Sequence, residues 1–218
     1  METAPDTALL ARAWVEGWVV SRSAAPPIEE SWGFTIDVGL VPHVRRHVLL
    51  PDADEALFRK LTARITAPGT WIKLFLPPET VEPWLAPGWS FDAPGFLMST
   101  ALRRVPDPDV PAGYVLRAWT RGGLTRVLLT TEDGHFAARG QIAVPAVGAP
   151  GVIDQIETSP DHQRRGLGSV VMRTLGNAAA DAGSPSAVLG ATLDGQALYH
   201  HLGWTTHAPL TGLVFGAA

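Results

Sequence analysis

The stretch VPDPDVP at residues 105–111 constrains this chain most. Three prolines and two aspartates in seven positions exclude both a helix and a central strand there. The 218 residues are therefore expected to divide into two units, 1–104 and 105–218. Each half shows mixed helix and strand patterning. In the first, Leu10, Trp14 and Trp18 recur at i, i+4, i+8 and share one helix face. The runs at 32–38 and 44–50 read as paired strands, Asp54 to Thr66 as a short amphipathic helix, 71–77 as a strand, 79–86 as a helix and 95–102 as a strand.

The second half opens with strand patterns at 113–119 and 124–131, separated only by TRGG, and EDG at 132–134 turns the chain into a third. The run GVIDQIET at 151–158 is a fourth strand, and a helix is expected over 167–182. A buried strand SAVLGA, a short helix DGQALYHHL and a closing strand near 210–215 complete it. With 46% hydrophobic residues the chain can fill a sizeable core, and the fold class is α/β (α+β).

Charge and cysteine usage exclude several classes. Lys and Arg total 17 against 21 Asp and Glu, so no global basic field exists to attract nucleic acid, and an anion site must be local. There is no cysteine, which excludes disulfides, thiolate–metal sites and a cysteine nucleophile. The opening residues lack a signal-peptide pattern and no run of about 18 apolar residues occurs. The expectation is a cytoplasmic monomer or homodimer that binds neither nucleic acid nor a membrane and holds no metal.

One local anion site is visible in PDHQRRGLGS, residues 160–169. It lies between a strand and a helix, where unpaired N–H groups and the helix dipole favour negative charge. A P-loop reading fails because no GK pair exists in the chain, and a Rossmann turn lacks its third glycine, with Val171 in that place.

The segment Gln163-Arg164-Arg165-Gly166-Leu167-Gly168 resembles the Q/R-x-x-G-x-G/A motif of the GCN5-related N-acetyltransferases, and ALYHHLGW at 197–204 resembles the family's second signature. The resemblance covers about residues 113–216. It implies a mixed, mostly antiparallel central sheet flanked by helices, with acetyl-CoA as co-substrate. By carry-over, Gln163 to Ser169, with Ile156, Glu157 and Thr158 on the splayed strand, hold acetyl-CoA. An N–H among Gln155 to Glu157 polarises the thioester, and Tyr199 protonates the departing sulfur. Asp154 and Glu157 are both candidates for the base; by the strand period of two they are expected on opposite faces. The implied reaction is acetyl transfer to an amine of a small molecule, amino acid or peptide. A non-catalytic acyl-CoA-binding module stays open beside it.

Two departures matter. Thr192 stands where many members carry an asparagine that contacts the cofactor, and TRGG, residues 120–123, replaces two helices that normally floor the acceptor site. The first half, whose ending faintly resembles the same fold, is therefore expected to be a degenerate lobe that covers the acceptor side. Within it Glu30 and Trp32 are expected to line the acceptor pocket.

Overall fold

Helix α1 (Thr7–Arg22) lies between two sheets, and its sequence explains why. Leu10, Trp14 and Trp18 are buried, and so are Ala11, Ala13, Val15 and Val19, so apolar surface runs around most of the helix and both sides need cover. Gly17 sets the approach on one side: a Cβ there would overlap the Val152 side chain. The Asp6 carboxylate caps the helix by accepting from the Ala8 amide at 2.9 Å. The computed structural model describes residues 6–216; the opening METAP segment lies outside them.

The first half continues through β1 (Ile28–Glu30), β2 (Gly33–Leu40), β3 (His43–Leu49), α2 (Glu55–Thr62), β4 (Thr70–Leu74), α3 (Pro78–Val81), β5 (Trp89–Phe91) and β6 (Gly95–Ala101). The helix expected over 79–86 is only a single turn followed by a 3-10 turn at Glu82–Trp84, because Pro83 cannot donate to the next turn. In the second half β7 (Tyr114–Arg121) and β8 (Leu124–Thr131) are joined at Gly122 and Gly123, both with positive φ. There follow β9 (Phe136–Ala143), β10 (Gly151–Thr158), α4 (Leu167–Asp181), β11 (Ser186–Thr192), α5 (Leu193–His201), β12 (Thr205–Pro209) and β13 (Thr211–Phe215).

The sheets are not divided at residues 105–111. One has the order β1-β2-β3-β4-β13-β5 and the other β12-β6-β11-β10-β9-β8-β7. Each thus takes one strand from the other half: β13 inserts antiparallel between β4 and β5, and β6 inserts antiparallel between β11 and β12. Around the exchanged strand the two sheets repeat one plan. An antiparallel pair leads to a parallel neighbour through a crossover helix, α2 for β3 to β4 and α4 for β10 to β11.

Candidate active site

Strands β10 and β11 pair in parallel only from Gly151 to Ile153, against Ala187 to Leu189. Beyond that point both continue on other neighbours, β10 on β9 and β11 on β6, so a wedge opens between them. A β-bulge sits at the same place. Between Asp154, opposite Gln141, and Glu157, opposite Arg139, β10 holds one residue more than β9, and Gln155 takes a left-handed φ of 56°. The extra residue corrects the expectation for the two carboxylates. Gln141 and Arg139 are two apart and share a face, so Asp154 and Glu157 also share one, toward α1 rather than α4.

The same wall of the wedge, β10, runs on into the glycine loop. After a short 3-10 turn at Pro160–His162, Arg164 (φ 58°) and Gly166 (φ 78°) adopt left-handed conformations, and α4 starts with no side-chain cap and no acid in its first turn. Among the described residues no acceptor takes the backbone amides from Arg164 to Ser169. These amides fit a bound anion. The two arginines differ in duty. Arg165 donates to the Tyr114 hydroxyl and to the Asp161 carbonyl, each at 3.1 Å, and the same hydroxyl meets His162 Nδ1 at 3.0 Å, so Arg165 braces the loop. Arg164 is exposed and carries no such bond. Gly166 is required by its φ, whereas Gly168 keeps α4 close to α5: a Cβ there would press on Leu198 Cδ2 at 3.0 Å.

Helix α5 brings Tyr199 to the site. Gly195, one turn earlier, leaves room for its ring, and Trp204 packs beside it with centroids 6.1 Å apart. The residue is buried, yet its hydroxyl makes no hydrogen bond to the described residues and is not sealed off. Burial pushes the phenol up to about 12, and the charge of Asp154 adds to the effect. Thr192 has a different use: its hydroxyl caps α5 by accepting from the Gly195 amide at 3.2 Å.

Neither carboxylate stands free. Asp154 accepts from Arg22 through both oxygens (2.5 and 2.8 Å), from the Ser21 hydroxyl at 2.8 Å and from the Gln155 amide at 2.9 Å. Glu157 pairs with Arg139 at 2.7 Å. Ser21 and Arg22 left no motif in the sequence; the only hint was a polar Ser-Arg pair closing an apolar helix.

Helix α1 covers β9, β10 and β11 on the face opposite α4, where the turn at 120–123 leaves the second sheet without helices of its own. Beyond α1 on that face, a cavity of about 300 Å³ abuts the bulge, lined by Trp119, Arg126, Arg139, Gln141 and Gln155 among others. A larger one of about 570 Å³ lies between α4 and α5 near Asn177 and Gly203 and touches β10 only at Ile153. Glu30 and Trp32 do not line either. Trp32 packs edge-on to His47 and against the core under α2, and the Glu30 carboxylate accepts from the Thr35 hydroxyl. Among the described residues no helix is long and apolar enough to cross a membrane.

A sequence model described as the Acetyltransferase (GNAT) family matches residues 91–204, just over half of the chain. The match begins inside the first half, at the end of β5, and so takes in β6, the strand that the first half gives to the second sheet. No curated protein matches. Among solved structures, 97% of the chain aligns with 96% of a GCN5-related N-acetyltransferase from Kribbella flavida, at TM-score 0.64 and 18% identity. A GNAT-family protein from Novosphingobium aromaticivorans covers 95% of the chain over 97% of its own, at 0.57 and 15%. A tandem GNAT protein from the clavulanic acid biosynthesis pathway covers 75% over 70% of its own, at 0.53 and 13%.

Proposed function

Because this chain belongs to the acetyltransferase (GNAT) family, we propose that it transfers an acetyl group from acetyl-CoA directly to an amine. The observation that carries the reading is the coincidence of two features: β10 and β11 part after Ile153, and the wedge they open ends at a row of unpaired amides, Arg164 to Ser169. The first feature suits an extended pantetheine arm and the second a pyrophosphate. When bound, the co-substrate supplies an activated acyl thioester.

The residues divide the work as follows. The amides of Arg164 to Ser169 bind the pyrophosphate, with Gln163 and Arg164 at its edge, while Arg165 keeps the loop in shape. The strand edge at Ile156 to Thr158 aligns the pantetheine arm. The Gln155 amide is turned onto Asp154, and Glu157, two residues before the Ser159 whose amide donates to the Ala137 carbonyl, directs its own amide to β9, so the N–H that polarises the thioester carbonyl belongs to Ile156. The amine forms the C–N bond as the C–S bond breaks, the nitrogen loses a proton and the sulfur gains one. Tyr199 donates a hydrogen bond to that sulfur. With its own pKa near 12, against about 8.5 for an ordinary thiol, it steadies the thiolate better than it gives its proton away. Solvent takes the proton from the nitrogen and returns one to the sulfur. Asp154 holds α1 against the bulge and is not placed as a free base.

The first half acts as an acceptor-side lobe in this reading, a degenerate counterpart of the second. It repeats the strand plan but not the anion site. Its crossover helix α2 opens with Asp54 as cap and Glu55 in the first turn, where negative charge already fills the place a phosphate would need.

One observation favours the non-catalytic reading: both carboxylates on β10 are held by arginines. A single experiment separates the two. Acetyl-CoA binding is measured by calorimetry and free CoA release is followed with a panel of amines. Binding with amine-dependent release supports transfer; binding without release from any amine leaves the binding module; no binding at millimolar acetyl-CoA removes both.

A further inference from the structure

We propose that the acceptor carries a carboxylate and that Arg46 receives it, which makes amino acids, rather than simple amines, the substrate class. The inference rests on the acetyl-transfer reading above. Arg46 lies on the α1 side of β3 and is only 8% exposed. Among the described residues its sole hydrogen bond is a long one, Nε to His43 Nε2 at 3.3 Å, and no carboxylate there pairs with it. Its two terminal nitrogens are therefore without partners, yet they are not sealed, since no buried side-chain nitrogen or oxygen lacks one.

The charges nearby do not compensate it. Asp154 and Asp92 are within electrostatic reach, but Asp154 is taken by Arg22 and Asp92 by Lys73. His43 is pushed down to about 3, by burial first and then by Arg46, and brings no charge at neutral pH. One whole positive charge is left in a buried place, a costly arrangement without an anion. The guanidinium stacks on Trp18 at 4.0 Å, and Trp14 lies 5.9 Å away. Stacking occupies the face of the guanidinium and leaves its N–H edge free for bidentate contact with a carboxylate.

The position relates this edge to the reaction. Trp14 lies over Gly190, on the part of β11 that has already left β10: a Cβ added there would stand 3.7 Å from the indole. On the other wall, Arg22 follows Trp18 by one helical turn and grips Asp154 at the bulge. Arg46 thus sits beyond α1 on the side away from α4, and it shares the Trp18 ring, at 4.0 Å, with the Arg22 that grips the bulge, at 5.8 Å. In this proposal a molecule with its carboxylate at Arg46 extends along Trp18 and Arg22 toward the bulge.

The test uses the intact wild-type protein with acetyl-CoA, the proteinogenic amino acids, their α-amides and the corresponding decarboxylated amines. Release of free CoA is measured, with acetyl-CoA binding followed on the same preparation. At least one amino acid is expected to exceed its amide by about 100-fold or more in kcat/KM. Arg46→Gln should erase that preference by lowering the acid alone, and Arg46→Lys should restore part of it. The acid-to-amide comparison needs no variant, so it stands even if Arg46→Gln does not fold. Acetyl-CoA binding with equal turnover of amides or amines, or with no amino acid accepted, overturns this inference alone. Absence of acetyl-CoA binding removes the acetyl-transfer reading and this inference with it.

Discussion

Arg22, the last residue of α1, holds the Asp154 carboxylate through both of its oxygens at the point where β10 bulges. The pair joins residues 132 apart in sequence and fixes the helix over the wedge. Asp154→Ala should lower stability by about 1–3 kcal/mol, since it strips a charged acceptor from Ser21, Arg22 and the Gln155 amide. The acceptor KM should rise while acetyl-CoA affinity changes little. Thermal denaturation and two-substrate kinetics check both parts; an equal loss of acetyl-CoA affinity would place the pair in the donor site instead.

At the glycine loop the two positions fail for different reasons. Gly166→Ala meets open space but a φ of 78°, which costs an L-residue about 1 kcal/mol and disturbs the amides. Gly168→Val drives into Leu198 and moves α5 with it. Both should weaken acetyl-CoA binding in calorimetry, the second together with kcat because Tyr199 is on α5. Arg164→Ala should weaken binding mildly and less so at high salt.

Tyr199→Phe keeps the ring and its packing on Trp204, so acetyl-CoA affinity should be retained. The kcat should fall by about 10- to 1000-fold for loss of the hydroxyl. An unchanged kcat would show that the sulfur departs without a hydrogen bond from Tyr199.

The first half should also report on acid. His43 and His47 are pushed down to about 3 and 4, in both cases by burial first, whereas in the unfolded chain a histidine titrates near 6.5. Between those values the unfolded state binds more protons, so stability falls as pH drops from about 6.5 toward 4. Thermal melts from pH 7 to 4.5 should show a declining Tm, and replacing both histidines by Gln should flatten the slope.

What the sequence made legible was local. Gln163 to Gly168 announced an anion loop because a glycine pair at a helix start has few other uses, and Leu10, Trp14 and Trp18 marked a buried face because helix periodicity is a property of neighbours. The three-residue strands β1 and β5 were missed, as was β12, since pairing rather than patterning makes them strands. The bulge at Gln155 was hidden for the same reason: nothing in GVIDQIET distinguishes a strand with an added residue, and the period of two then misassigned the faces of Asp154 and Glu157. Arg46 stood in plain view within VRRHVLL, but only the approach of Trp18 across the fold shows that it is buried and unpaired.

The exchanged strands set a timetable for the molecule's birth. The sheet begun by residues 28–49 receives its fifth strand from Thr211–Phe215, so a ribosome must release everything through Phe215 before that earlier portion can close. Until then the edge of β4 that later receives β13 stays open, a template for any passing strand. Cutting at residue 104 should accordingly yield two fragments that each present such an edge and aggregate apart, and that recover a native circular-dichroism spectrum only when refolded together.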